Sequence, residues 1–338
     1  MMSSPFNVLF LLLCLMCAAL YYFQNKGNSS AGGLPTTSDF KKFQRSYLIV
    51  YICAVMADWL QGPYVYALYA YYQFSKQQIA ILFIVGFGAS AVFGTFAGEM
   101  ADKYGRRLSC YLYCAMYILS CLTKHSPNFY VLLFGRLTGG VATSILFSSF
   151  ESWLVAEHNK NFYPAEWLEQ TMSLATLLNA ISAIAAGSLG ALVKSQFDSL
   201  VAPFDLAIVF CIIAGAIMAS MWPENKGEVS ILASSSGSGR SKFADAMQVL
   251  QQDQKVVLLG LAQSLFESSM YMFVFMWTPK LEPLFKDLPH GQVFSCFMAC
   301  SMMGSSLVLP APHSLPAPHS LPPSLPPSHP NSLHLRND

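Results

Sequence analysis

The chain has 338 residues, of which 54% are hydrophobic and only 11% charged. Soluble domains carry roughly a quarter charged residues, so this is the composition of a membrane protein. A net charge of +1 with no strongly basic segment excludes a nucleic-acid partner, and the nine cysteines all fall in apolar runs, as packing residues rather than disulfides or metal ligands.

The first apolar run, 7–23, is just long enough to cross a bilayer, whose roughly 30 Å core takes about 20 helical residues. It reads as a signal peptide or as an extra N-terminal helix. Lys41, Lys42 and Arg45 precede the next run and place the linker in the cytoplasm, which favours the uncleaved helix. The sequon Asn28-Ser29-Ser30 is then expected to stay unglycosylated.

Eight further runs follow, at 47–69, 79–100, 108–122, 129–150, 171–193, 204–222, 256–278 and 292–309. Between the runs at 79–100 and 108–122 lies GEMADKYGRRLSC, a tight turn carrying Asp102, Lys103, Arg106 and Arg107. Such a short basic turn belongs in the cytoplasm. Gly98 is expected to allow close helix approach at the membrane edge, and Gly105 the turn into the next helix. Alternation from this loop puts Lys/Arg at 26, 41, 42, 45, 103, 106, 107, 160, 226, 240, 242 and 255 inside, against 76, 124, 194, 280 and 286 outside. That bias supports the topology.

The only long internal connection, 223–255, holds the flexible string SSSGSG and then Phe243, Ala246, Met247 and Leu250 at helical spacing. It reads as a hinge with a surface-lying amphipathic helix between two halves. The expected organisation is a membrane helix and linker (1–46), a six-helix half (47–222), a cytoplasmic loop (223–255), two helices of a second half (256–309) and a disordered Pro/Ser/His-rich tail (310–338).

Ionisable side chains within membrane runs are costly and mark function by default. Three stand out: Asp58, Arg136 and Glu267. Asp58 and Glu267 each lie 11 residues into the first run of their half, about 16 Å deep, as a two-fold repeated transporter would have them. The rival reading is a buried acid–arginine pair that only orients helices. Gln61-Gly62-Pro63 follows Asp58, and a Gly-Pro break frees backbone groups that must face protein or a cavity. Glu99 and Glu151 fall at cytoplasmic helix ends, where a gate or solvent contact is expected. Neither an enzyme motif nor a cofactor motif is present.

The pattern Gly-x-x-x-Asp-x-x-Gly-Arg-Arg resembles the signature loop of the major facilitator superfamily, and FGRLTGG its fourth-helix motif. The strings ADWLQGPYVYALYAYY, QIAILFIVGFGAS, GRLTGGVATSILFSSFESWLVAEH, FYPAEWLEQT and SLFESSMYMFVFMWTP are similar to the molybdate-anion transporter family within it. That resemblance implies an all-α, multi-pass helical bundle of the cell membrane that imports a tetrahedral dianion. It also implies that Gly98, Asp102, Gly105, Arg106 and Arg107 brace an inward gate, the Asp against a helix N-terminus and the Arg residues against acids. On this reading Arg136 contacts the anion, since a guanidinium fork matches an oxyanion bidentately. Gln61 is a neutral donor to it, and Asp58 and Glu267 are proton-linked or gating acids. The resemblance stops at Leu307, where the family continues with a second basic loop and four more helices, so the chain alone is expected to move no anion. Two alternatives use the same features: a proton-coupled carrier of another small solute, and a non-transporting regulatory or receptor-like membrane protein.

Overall fold

A computed structural model describes residues 5–28, 36–226, 253–285 and 287–308. Among these the chain is wholly helical: α1 (Pro5–Asn28), α2 (Ser38–Gln61), α3 (Val65–Tyr71), α4 (Lys76–Tyr104), α5 (Arg106–Leu122), α6 (Phe129–Lys160), α7 (Ala165–Phe197), α8 (Ala202–Met221), α9 (Gln254–Leu281) and α10 (His290–Val308). The serines of the Asn28 sequon, the SSSGSG string, the 243–250 segment and the tail lie outside the described residues.

The helices outrun the apolar segments because hydropathy marks the bilayer while caps mark helix ends. α2 starts at Ser38, nine residues before its apolar run, where the Thr37 hydroxyl accepts the Phe40 N–H at 3.3 Å. Ser75 and Gln78 form a reciprocal capping box on α4. Pro63 cannot donate to the helical ladder, so α2 breaks there and resumes as α3.

Among the described residues, seven helical spans are long and apolar enough to cross a membrane. Two of the nine expected runs, 108–122 and 292–309, form helices outside that set, α5 and α10. α5 has 17 residues and spends several on tyrosine and serine. Those side chains find partners inside the bundle: Tyr113 and Tyr117 donate to the Ala54 and Ala57 carbonyls of α2, and Ser120 to the Gly135 carbonyl of α6.

Helix ends pair at each end of the bundle. Phe40 at the start of α2 packs on His158 and Trp167, and the segment after α8 reaches the turn between α4 and α5. At the other end, Phe6 of α1 packs on Phe285 and near Cys296.

Between lipid-embedded helices the hydrophobic effect contributes little, and close approach through small residues carries the interfaces. Gly140 of α6 lies on the backbone of Gly86 and Ser90 in α4, and Gly187 of α7 on Gly291 and Ser295 of α10. Gly98 does not behave as expected: a Cβ there would meet nothing within 4 Å, because no described helix covers that face of α4. The close approach lies about three turns away, at Gly86.

Candidate functional site

Arg136 lies between α6 and α4 and Asp58 between α2 and α5, and the α4 rings beside Arg136 touch α9. Nε of Arg136 donates to the Leu82 carbonyl at 3.1 Å, and its guanidinium lies 5.1 Å from the Phe83 ring centre and 5.8 Å from that of Phe87. Gly86 makes room for it: a Cβ there would stand 2.5 Å from the guanidinium. The same two rings meet α9. Phe87 packs on Tyr271 with centres 4.0 Å apart, and Phe83 on Phe275 at 5.5 Å. Arg136 is thus held on an aromatic shelf shared by α4 and α9, where cation–π attraction adds about 0.5–2 kcal/mol.

Asp58 accepts a hydrogen bond from Tyr117 at 3.2 Å and feels the field of Arg136, but the two do not close an ion pair among the described residues. The earlier start of α2 puts Asp58 twenty residues from its helix start (58 − 38), whereas Glu267 is thirteen from that of α9 (267 − 254). Glu267 accepts from Gln263 at 2.9 Å, and Tyr271 is one turn beyond, so the three share a helix face. Tyr271 lies within electrostatic reach of both Asp58 and Glu267. Gln61 is turned away: its amide donates to Cys121 Sγ at 3.8 Å in a buried position on α5.

At the end of the bundle that carries the basic turn, Gly105 takes φ +127°, a conformation open to glycine, and turns α4 into α5. Arg106 pairs with Asp102 at 2.8 Å within the loop. The α5 N-terminus is met by Glu224, which accepts the Arg107 and Leu108 N–H groups at 2.9 and 3.1 Å and faces the Arg107 guanidinium at 3.9 Å. Around it Trp222 stacks on Trp153 with centres 3.7 Å apart, Asn225 donates to the Trp153 carbonyl, and the Asn225 carbonyl accepts the Arg106 N–H. Sequence reading assigned Glu224 to the loop 223–255; the available signal was a carboxylate three residues past the end of α8. A cavity of about 950 Å³ opens beside this turn, with Arg106, Asp102, Glu151 and Lys160 in its walls. At the opposite end α7 and α10 touch, and Tyr64, Lys194, His290 and Gln292 border a second cavity of about 540 Å³.

This arrangement has solved counterparts. The nucleoside transporter NupG, solved as a point mutant, matches 78% of this chain and 66% of its own, with a TM-score of 0.60 at 13% identity. A D-xylose–proton symporter matches 79% and 68%, with a TM-score of 0.55 at 11% identity. The class is therefore a multi-pass membrane protein with the major facilitator fold.

Residues 6–315 match the model of a family described as sugar transporters with 12 transmembrane segments, and the chain belongs to that family. The match takes in α1 and continues past Leu307. The molybdate-anion transporter of Xenopus tropicalis is 41% identical over 283 residues, covering 83% of this chain and 60% of the relative. The protein of that name from Takifugu rubripes is 39% identical, covering 79% and 59%, and that from Danio rerio 35%, covering 88% and 66%. The chain spans about 60% of the length of the first of these relatives.

Proposed function

We propose that the chain belongs to a secondary transporter of the cell membrane that imports molybdate or a similar tetrahedral oxyanion together with protons. The observation that carries this reading is Arg136, a fixed guanidinium on the aromatic shelf between halves, inside the field of Asp58. A dianion arriving over that shelf would meet two or more donors of Arg136, with the Tyr271 hydroxyl on the facing helix. It would also offset the field of Arg136 at Asp58 and favour protonation there, linking the two bindings. Glu267 supplies the second acid. The gate formed by Asp102, Gly105, Arg106, Arg107 and Glu224 closes the cytoplasmic side. Gln61 supports α2 against α5 rather than touching the anion.

A second reading, a proton-coupled carrier of a neutral solute, draws on the sugar-transporter description of the family and on the aromatic shelf. The test is equilibrium binding of labelled molybdate to the purified chain by scintillation proximity, competed with sulfate and with hexoses and pentoses. Saturable binding displaced by oxyanions supports the anion reading. Displacement by sugars alone, or no binding, overturns it.

A further inference from the structure

α1 makes a boundary that the transport reading does not use. It seats on α10, a helix of the second half, through Leu13 and Cys17, whose thiol donates to the Ala299 carbonyl at 3.5 Å. It does not close onto α7 of the first half. Between α1, α7 and Met302 of α10 there remains a groove of about 680 Å³. On α7 its wall runs from Leu177 to Leu192, fifteen residues or about 22 Å along the helix; on α1 it runs from Phe10 to Tyr21. We infer that this groove is a binding site for one acyl chain of a membrane phospholipid, held between the two halves.

Three observations specify the occupant. The groove is lined almost wholly by apolar side chains, and of its few polar groups the Ser188 hydroxyl is engaged with Ser295 at 3.2 Å and the Cys17 thiol with Ala299. Only the Cys14 thiol and the Tyr21 hydroxyl remain, which is too little for a polar ligand, since even one water needs two to four partners. The groove is open sideways, since Ala18, Tyr21, Ile181 and Ala185 on its two walls are exposed. At that depth the surroundings are hydrocarbon. Its walls, about 22 Å long on α7 and about 16 Å on α1, each reach at least half of a roughly 30 Å bilayer core, so a flexible chain entering from one leaflet can lie along both.

The test uses the full 338-residue chain in phosphatidylcholine nanodiscs doped with a phosphatidylcholine carrying a diazirine on one acyl chain, with adducts mapped on peptides. Adducts are expected on residues 10–21 and 177–192 at five or more times the density found around Ile84 and Val92, lipid-facing positions of α4 outside the groove. Ala18→Phe and Ala185→Phe fill the groove from opposite walls at exposed positions. Each is expected to cut groove labelling at least fivefold and leave α4 labelling unchanged; Ala185→Val gives an intermediate loss and serves if a larger side chain prevents folding. Equal labelling of groove and α4 means annular lipid only and overturns the inference, as does labelling unaffected by all three variants. A diazirine sterol that labels the groove better than the phospholipid overturns the assignment to an acyl chain.

Discussion

Gly86→Ala tests the seat of Arg136 directly. The added methyl would stand 2.5 and 2.7 Å from three guanidinium atoms, against about 3.4 Å for ordinary contact, so the guanidinium must retreat by about 0.9 Å. A shift of that size breaks the bond to the Leu82 carbonyl or lifts the cation from the Phe83 and Phe87 rings. Each support is worth about 0.5–3 kcal/mol. Only part of that reaches the ligand, because Arg136 keeps its charge and loses its placement. A loss of about 1.4 kcal/mol, tenfold in affinity, is expected. Stability should fall by no more than the one support lost, about 0.5–3 kcal/mol, since the clash is with the far end of a flexible side chain. Gly88→Ala is the control, because a Cβ there meets nothing within 4 Å. The assay is scintillation-proximity binding of labelled molybdate alongside thermal melting. Unchanged affinity in Gly86→Ala, or an equal loss in Gly88→Ala, refutes the argument that the shelf positions Arg136.

The remaining predictions concern coupling, the Tyr271 hydroxyl, the gate and topology. A dianion entering against 100 mV faces about 4.6 kcal/mol, over three decades in equilibrium, which two co-transported protons cancel. Molybdate affinity should therefore rise as pH falls, and Asp58→Asn and Glu267→Gln should each flatten that rise; a full pH response in both variants makes the acids structural. Tyr271→Phe keeps the stack on Phe87 and removes the hydroxyl, so a severalfold loss of molybdate affinity at unchanged melting temperature is expected, and wild-type affinity would show that the hydroxyl is idle. Glu224→Gln removes the charge at the α5 N-terminus from a side chain 29% exposed; about 0.5–1 kcal/mol is lost, read as a drop of roughly 2 °C in melting temperature, and an unmoved midpoint sinks the assignment. Asn28 should carry no glycan, and a mobility shift with endoglycosidase that Asn28→Gln abolishes would reverse the topology of α1.

What the sequence disclosed and what it hid divide along physical lines. Charge and glycine placement within one short stretch revealed the turn at Gly105, since backbone conformation there is local. The break after Gln61 was legible for the same reason, because Pro63 lacks a donor wherever it stands. Arg136, Asp58 and Glu267 were conspicuous through their cost in a membrane. Which way side chains face was not legible: these helices are apolar on nearly every side, so periodicity gives no inward direction. Gln61 consequently turned out to face Cys121, and Gly98 an uncovered surface. Glu224 and Tyr271 were missed because their partners, Arg107 and Phe87, lie more than a hundred residues away in sequence.

The position of Glu224 also sets an order of assembly. It caps α5 from 117 residues downstream of Arg107. At roughly 5–20 residues per second on a ribosome, α5 waits about 6–23 s after Arg107 is made before its cap is synthesised. Until then water must satisfy its first N–H groups, which their position at the end of the bundle allows. Trp222, Pro223, Glu224 and Asn225 then dock together on Trp153 and the turn. The first half acquires its latch with the last residues it contributes, immediately before synthesis passes to the connection leading to α9.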